Sequence, residues 1–270
     1  MIVCDTNTTP VDDERMLTID INQFDTKKLA DVYREISSIA QKHPWKRPEA
    51  YTGWKRSGWF FPEIDRRHDH TPGVFESNAK YQINNYPYIT DICDTLKEEF
   101  ETIAVWYFHN TKDYSFMIHH DLGKPQGDDE FFDTPAKNSD GVVVHLPKRG
   151  LSKKRKGEAL PGWPSNYNQI KSKGSITSFN IICSEHWSND LNPTPVCFTK
   201  ENQNHLKFSD MYKTEDDFLY YYKAGLLNTH WTHYLDMDGV HERLLFRVSI
   251  YDDIPFNVSK DKFKKLGLTY

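Results

Sequence analysis

A chain of 270 residues suits a single β-barrel or sandwich domain, and its 14% aromatic content can build a core although hydrophobic residues total only 37%. A net charge of −5 argues against wrapping nucleic acid over the whole surface, and no apolar run approaches the roughly 18–20 residues needed to span a bilayer. Cys4, Cys93, Cys183 and Cys197 have neither CxxC spacing nor a dense framework, which sets aside a zinc ribbon and a disulfide scaffold and fits a reducing, cytoplasmic compartment. The N-terminal MIVCDTNTTPVDDER has no basic segment followed by an apolar one, so no export signal is expected.

In chain order, Met16 to Ile21 alternates as a strand. Asp25 then stands as N-cap before Leu29, Val32, Tyr33, Ile36 and Ala40 at helical spacing, which predicts a helix to about His43 with one face on a sheet. From Trp45 to Asn85, Trp, Pro, Gly and Arg predict loops with short strands. His68 and His70 lie there directly before the turn Thr71-Pro72-Gly73, which favours a solvated loop over a metal site. Tyr88, Ile92, Leu96, Phe100 and Ile103 predict a second helix over Ile89 to Glu101, with Thr90 as its cap. The strand TIAVWYFHN follows, with Val105, Tyr107 and His109 on one face and Trp106 and Phe108 on the other.

An insertion over 122–173 carries the acidic segment Gly127 to Asp133, the basic run Lys148 to Lys156 and one strand, GVVVHLP. Ser175 to Ser184 and PVCFTKE read as strands, and FSDMYKTEDDFLYYYKAG as a short helix ending at Gly225. Gly225 to Tyr251 then holds an apolar strand running into His230, His233 and His241, a turn, and a second strand from Arg243, which would set a histidine beside an arginine. The tail from Pro255 is basic and weakly patterned.

Chemistry enters at YSFMIHHDLG. Residues two apart on a strand share a face, so His119 and Asp121 point one way and His120 the other. One further histidine from a distant strand would complete the two-imidazole, one-carboxylate triad that holds non-haem Fe(II) with positions left open. Along a straight strand His230 and His233 point to opposite faces, and His241 falls in the turn, so His233 is the preferred third ligand. Arg243 and Arg247, four apart on one strand, can both face the same side, with Leu245 between them, and a guanidinium is the better partner for a dry carboxylate than lysine.

This ordered set, His119-His120-Asp121, then His233, then Arg243 ten residues on, resembles the Fe(II)/2-oxoglutarate-dependent oxygenase superfamily in its prolyl-hydroxylase-like branch. Asn228-Thr229-His230-Trp231-Thr232-His233 is similar to that branch's Asn/Asp-Thr run before its distal histidine, and the resemblance covers Thr102 to Asp253. It implies Fe(II) on His119, Asp121 and His233, 2-oxoglutarate held by Arg243 or Arg247, with Tyr107 touching it, and O2 as oxidant. The alternative for Tyr107 is a core tyrosine bonded to a backbone group. Asp121, where related halogenases have Gly or Ala, favours hydroxylation over chlorination.

The expected fold is mainly β with supporting helices, a double-stranded β-helix of the jelly-roll or cupin-like kind. It would form one domain over 1–270: helical and loop support over 1–101, a jelly-roll core over about 102–253, and a tail over 254–270. The expected substrate is a small polar molecule, an amino acid or a derivative, whose cationic group the acidic run at Asp128 to Glu130 could meet. Alternatives are nucleobase or peptidyl-residue oxidation, the former with the basic run tracking phosphates, a non-enzymatic jelly-roll binding module, and a cupin-like site on His68 and His70. Composition sets no oligomeric state.

Overall fold

The computed structural model describes residues 1–36, 41–42, 45–46, 54–61, 85–101, 103–111, 116–121, 135–138, 143–145, 177–186, 195–206, 210–235, 242–250, 252 and 254–270. Strands β1 (Ile2–Asp5) and β2 (Met16–Thr18) precede helix α1 (Thr26–Ile36), and β3 (Gln41–Lys42), β4 (Trp45–Lys46) and β5 (Trp54–Phe61) precede α2 (Pro87–Lys97). Then come β6 (Ile103–Thr111), β7 (Phe116–His119), β8 (Pro135–Asn138), β9 (Val143–His145), β10 (Thr177–Ile182) and β11 (Pro195–Phe198). They are followed by β12 (Phe218–Tyr221), β13 (Ala224–Asn228), β14 (His233–Leu235), β15 (Glu242–Ile250) and helix α3 (Phe256–Lys265). Among the described residues no helix is long and apolar enough to cross a membrane.

The larger sheet has the order β2-β13-β10-β15-β6-β5-β3, the smaller one β1-β12-β11-β14-β7, and β4-β8-β9 form a third. From β6 the chain crosses to β7, returns to β10, crosses to β11 and β12, returns to β13, crosses to β14 and returns to β15. Apart from β8 and β9 in the third sheet and the β11–β12 pair, the strands from β6 onward alternate between two sheets whose central ladders are antiparallel, which is the double-stranded β-helix. Strand β7 ends the smaller sheet, with β14 its one neighbour among the described residues.

Side-chain alternation gives the larger sheet two faces, and its central strands are buried on both. Leu244, Phe246, Val248 and Ile250 of β15, with Val105 and Tyr107 of β6 and Phe179 and Ile181 of β10, pack on Leu29 and Tyr33 of α1, Ile89 and Leu96 of α2 and Phe263 of α3. The opposite face meets the smaller sheet through a second cluster, in which Met16 and Leu227 lie with Val196, Phe198, Tyr220 and Tyr222. Arg243, Leu245, Arg247 and Ser249 alternate with the outer set and so line this interior.

Several local expectations change. The Asp25 carboxylate does accept from the Lys28 amide at 3.0 Å, as an N-cap would. Helix α2 starts earlier than expected, because Pro87 occupies its first turn, and the Thr90 hydroxyl donates to the Pro87 carbonyl instead of capping. FLYY is strand β12, not helix: its aromatic residues pair with β1 on one side and β11 on the other. Gly225 lies inside β13, where an added Cβ would come 2.3 Å from Met16 Cε, so it serves close approach of β2 and not a helix end. The tail forms α3, which buries Phe256, Ser259 and Phe263. Strands β14 and β15 are not a hairpin, for each pairs in a different sheet.

Candidate metal centre

Strands β7 and β14 run antiparallel, with His119 directly opposite His233 and their ring centroids 4.4 Å apart. Asp121 lies just beyond the end of β7, where its amide donates to the Thr229 carbonyl at 2.7 Å. That bond ties it to the loop leading into β14 and keeps the extended alternation, so His119 Nε2 and Asp121 Oδ1 are 3.6 Å apart. One donor atom from each of His119, Asp121 and His233 lies within 4.8 Å of the others. Two imidazoles and one carboxylate at this separation are a donor set for a divalent first-row metal.

His233 and Asp121 are in the protonation states that a metal requires. His233 Nδ1 lies 2.7 Å from the Trp231 carbonyl. A carbonyl can only accept, so Nδ1 carries the proton and Nε2 keeps its lone pair. Burial, then the neighbouring His119 ring, pushes the His233 imidazolium down to about 3, so the ring is neutral near pH 7. Burial alone would raise the Asp121 carboxyl, but the Arg247 guanidinium and the His119 contact outweigh it and hold it well below the usual carboxylate range.

The loop that presents His233 is pinned from several sides. Trp231 Nε1 donates to the Thr199 carbonyl at 2.9 Å, and its indole stacks on Arg15, whose guanidinium carbon is 4.4 Å from the ring centroid. The Thr199 amide donates to the Thr232 carbonyl at 3.0 Å, and the Gln203 amide to the Thr232 hydroxyl at 3.0 Å.

Both arginines reach the barrel interior, at different places. Arg247 donates from Nη2 to Asp121 Oδ2 and from Nε to the Ser249 hydroxyl at 3.1 Å. Arg243 is 4% exposed and donates from Nη2 to the Tyr222 hydroxyl at 3.4 Å. Tyr222 accepts a second bond from Asn180 Nδ2 at 3.2 Å, and Asn180 is the cross-strand neighbour of Arg247. With two donors already on its oxygen, the Tyr222 hydroxyl has its own proton to give. Asn180 Oδ1 and Ser178 Oγ are buried without a hydrogen-bond partner among the described residues. The interior thus offers cationic, hydroxyl and amide groups to a polar ligand.

Asn180 and Tyr222 were not singled out from the sequence. The signal for Asn180 was a polar residue between Phe179 and Ile181 on a strand; for Tyr222 the mistaken helix removed any signal. Tyr107 is not at the site. Its hydroxyl donates to the Leu29 carbonyl at 2.8 Å and its ring packs on Tyr33 and Phe246, on the helix side of the larger sheet. The backbone-bonded core tyrosine is therefore the correct alternative. The inner face of β6 carries Phe108, which lies under the Arg247 guanidinium at 5.8 Å.

His230 is outside the triad: it lies in the turn between β13 and β14, to which strand alternation does not apply, and its ring lies 5.8 Å from that of His120. His68, His70, His241, the acidic run at Asp128 to Glu130 and the basic run Lys148 to Lys156 lie outside the described residues.

No family model matches the sequence, and a comparison with curated proteins finds no match. Among solved structures, HygX from Streptomyces hygroscopicus with nickel, 2-oxoglutarate and hygromycin B bound is 9% identical, over 88% of this chain and 83% of that one, with a TM-score of 0.38. The same protein with nickel and 2-oxoglutarate bound is 10% identical over the same shares, with a TM-score of 0.35. A likeness of that degree transfers neither ligands nor residue roles, and the double-stranded β-helix stands on the strand order alone.

Proposed function

We propose that the chain is an Fe(II)- and 2-oxoglutarate-dependent dioxygenase of the prolyl-hydroxylase-like branch, hydroxylating an unactivated C–H bond of a small polar substrate, an amino acid or a derivative. The observation that carries this reading is the His119, Asp121 and His233 donor set within 4.8 Å, in a barrel whose interior also holds Arg243. The ten-residue spacing from His233 to Arg243 supports the branch.

His119, Asp121 and His233 would hold the ferrous ion, and a set of only three protein donors leaves positions for the keto acid and for O2. Iron and 2-oxoglutarate, when bound, supply the oxidising power: the keto acid leaves as succinate and CO2, and one oxygen atom of O2 passes to the substrate. The chain's own part is to bind, orient and exclude water. His233 keeps Nε2 unprotonated through its bond to Trp231. Arg243 and the Tyr222 hydroxyl would grip the distal carboxylate of the keto acid, a charge-assisted pair in an interior walled by Phe198, Tyr220 and Leu227.

The substrate class rests on the net charge of −5 and on the resemblance to small hydroxylases of amino-acid side chains. Succinate formation from 2-oxoglutarate, assayed with free amino acids, short peptides and single-stranded oligonucleotides at low and moderate salt, tests both parts. We expect iron-dependent turnover stimulated by one of the amino acids. Turnover should vanish in His119→Ala, Asp121→Ala and His233→Ala and persist in His230→Ala. Stimulation by oligonucleotides alone, fading as salt rises, would reject the substrate class, and turnover that survives His233→Ala would reject the site.

A further inference from the structure

The geometry points to Arg247 as a positioning residue for the metal-binding carboxylate, and not as a contact to the co-substrate; this rests on reading His119, Asp121 and His233 as a metal site. A carboxylate has two equivalent oxygens and free rotation about its last bond, so left alone it offers a metal either oxygen or both. Here the two oxygens have different partners. Arg247 Nη2 occupies Asp121 Oδ2, which leaves Oδ1 as the oxygen facing His119 Nε2, at 3.6 Å.

The guanidinium is itself fixed. Its Nε donates to the Ser249 hydroxyl at 3.1 Å on the same face of β15, and the Phe108 ring lies beneath it at 5.8 Å. A planar fork anchored at Nε can present Nη2 in one direction only, which an ammonium on a flexible stem does less well. The order of support runs from Ser249 through Arg247 to Asp121 and bridges the two sheets, since β15 belongs to the larger one and β7 to the smaller.

Orienting a ligand and competing for it predict opposite signs. If Arg247 orders Asp121, removing it frees the carboxylate to rotate and weakens metal binding. If it merely neutralises Asp121, the metal must displace it, and removing it tightens binding.

The test is Co(II) affinity of the full chain, by competition with a chromophoric chelator, together with the visible ligand-field spectrum of the Co(II) form without 2-oxoglutarate. Arg247→Met should lose about ten- to a hundredfold in affinity, the range for removing the partner of a metal ligand, and should alter the Co(II) bands. Arg247→Lys, which keeps the charge and a donor, should recover most of the affinity. Ser249→Ala should lose less, in the same direction, and with Arg247→Lys it carries the test if Arg247→Met does not fold. Tighter Co(II) binding by Arg247→Met would overturn the inference. So would unchanged Co(II) affinity and spectrum with weakened 2-oxoglutarate binding, which would make Arg247 a co-substrate contact. A wild-type chain that takes up no Co(II), or one whose uptake is unaffected by His119→Ala, would defeat instead the metal-site reading on which the inference rests.

Discussion

Arg243 donates to the Tyr222 hydroxyl and Arg247 to Asp121, so the two arginines have different partners. Arg243→Ala should weaken 2-oxoglutarate binding to the Co(II)-loaded protein by about 2–5 kcal/mol, the cost of leaving a desolvated charge without its partner. Tyr222→Phe removes one hydrogen bond to a charged carboxylate and should cost about 1.5–3 kcal/mol. Calorimetric titration would show it, and equal, small losses in both variants would count against the carboxylate subsite. Two of the triad's three donors were legible in the sequence, because a period of two places His119 and Asp121 on one face; His230 and His233 are set apart by the turn before β14, where that period does not hold. The role of Arg247 was not legible. Its spacing set the face, but its partner depends on how β7 and β15 approach across the interior, which no local pattern encodes. Tyr107 failed for a related reason: alternation on β6 sorts residues into two faces without saying which face meets the helices.

At the scale of elements, the larger sheet needs its helices as much as its neighbours. Phe263 of α3 is fully buried, 5.5 Å from the Phe100 ring and 5.3 Å from that of Phe179. Phe263→Ala should lower the free energy of unfolding by about 3–5 kcal/mol, measured by urea titration, whereas a dispensable tail helix would give almost no change. The apolar signal of α3 was too thin to read, since its buried face is Phe256, Ser259 and Phe263 among several lysines. Strand β12 was misread in the opposite sense, for a run of aromatic residues fits either element. The two strands that flank it decided the outcome. Strands β10 and β15 read correctly because each is apolar on at least one face and bounded by polar segments, whereas β14, which carries His233, was not told apart from β13.

For the whole molecule, the donor set joins residues far apart in sequence, so a bound metal acts on the folding equilibrium and not on one strand alone. At a hundredfold excess over its dissociation constant, Co(II) should stabilise the native chain by about 2.7 kcal/mol. Chemical denaturation with and without the metal would show it, and His233→Ala should abolish the gain. Equal stabilisation of the variant would mean that the ion binds elsewhere. The fold distributes that gain unevenly. β7 carries His119 at the margin of the smaller sheet, with β14 as its one described neighbour, whereas β15 is paired on both sides. Backbone amides of Ile118 to Asp121 should therefore exchange with deuterium early in the metal-free chain and slow on metal binding, while those of Leu244 to Val248 stay protected throughout. A margin strand so placed would borrow its permanence from the ion that His119 would help to hold.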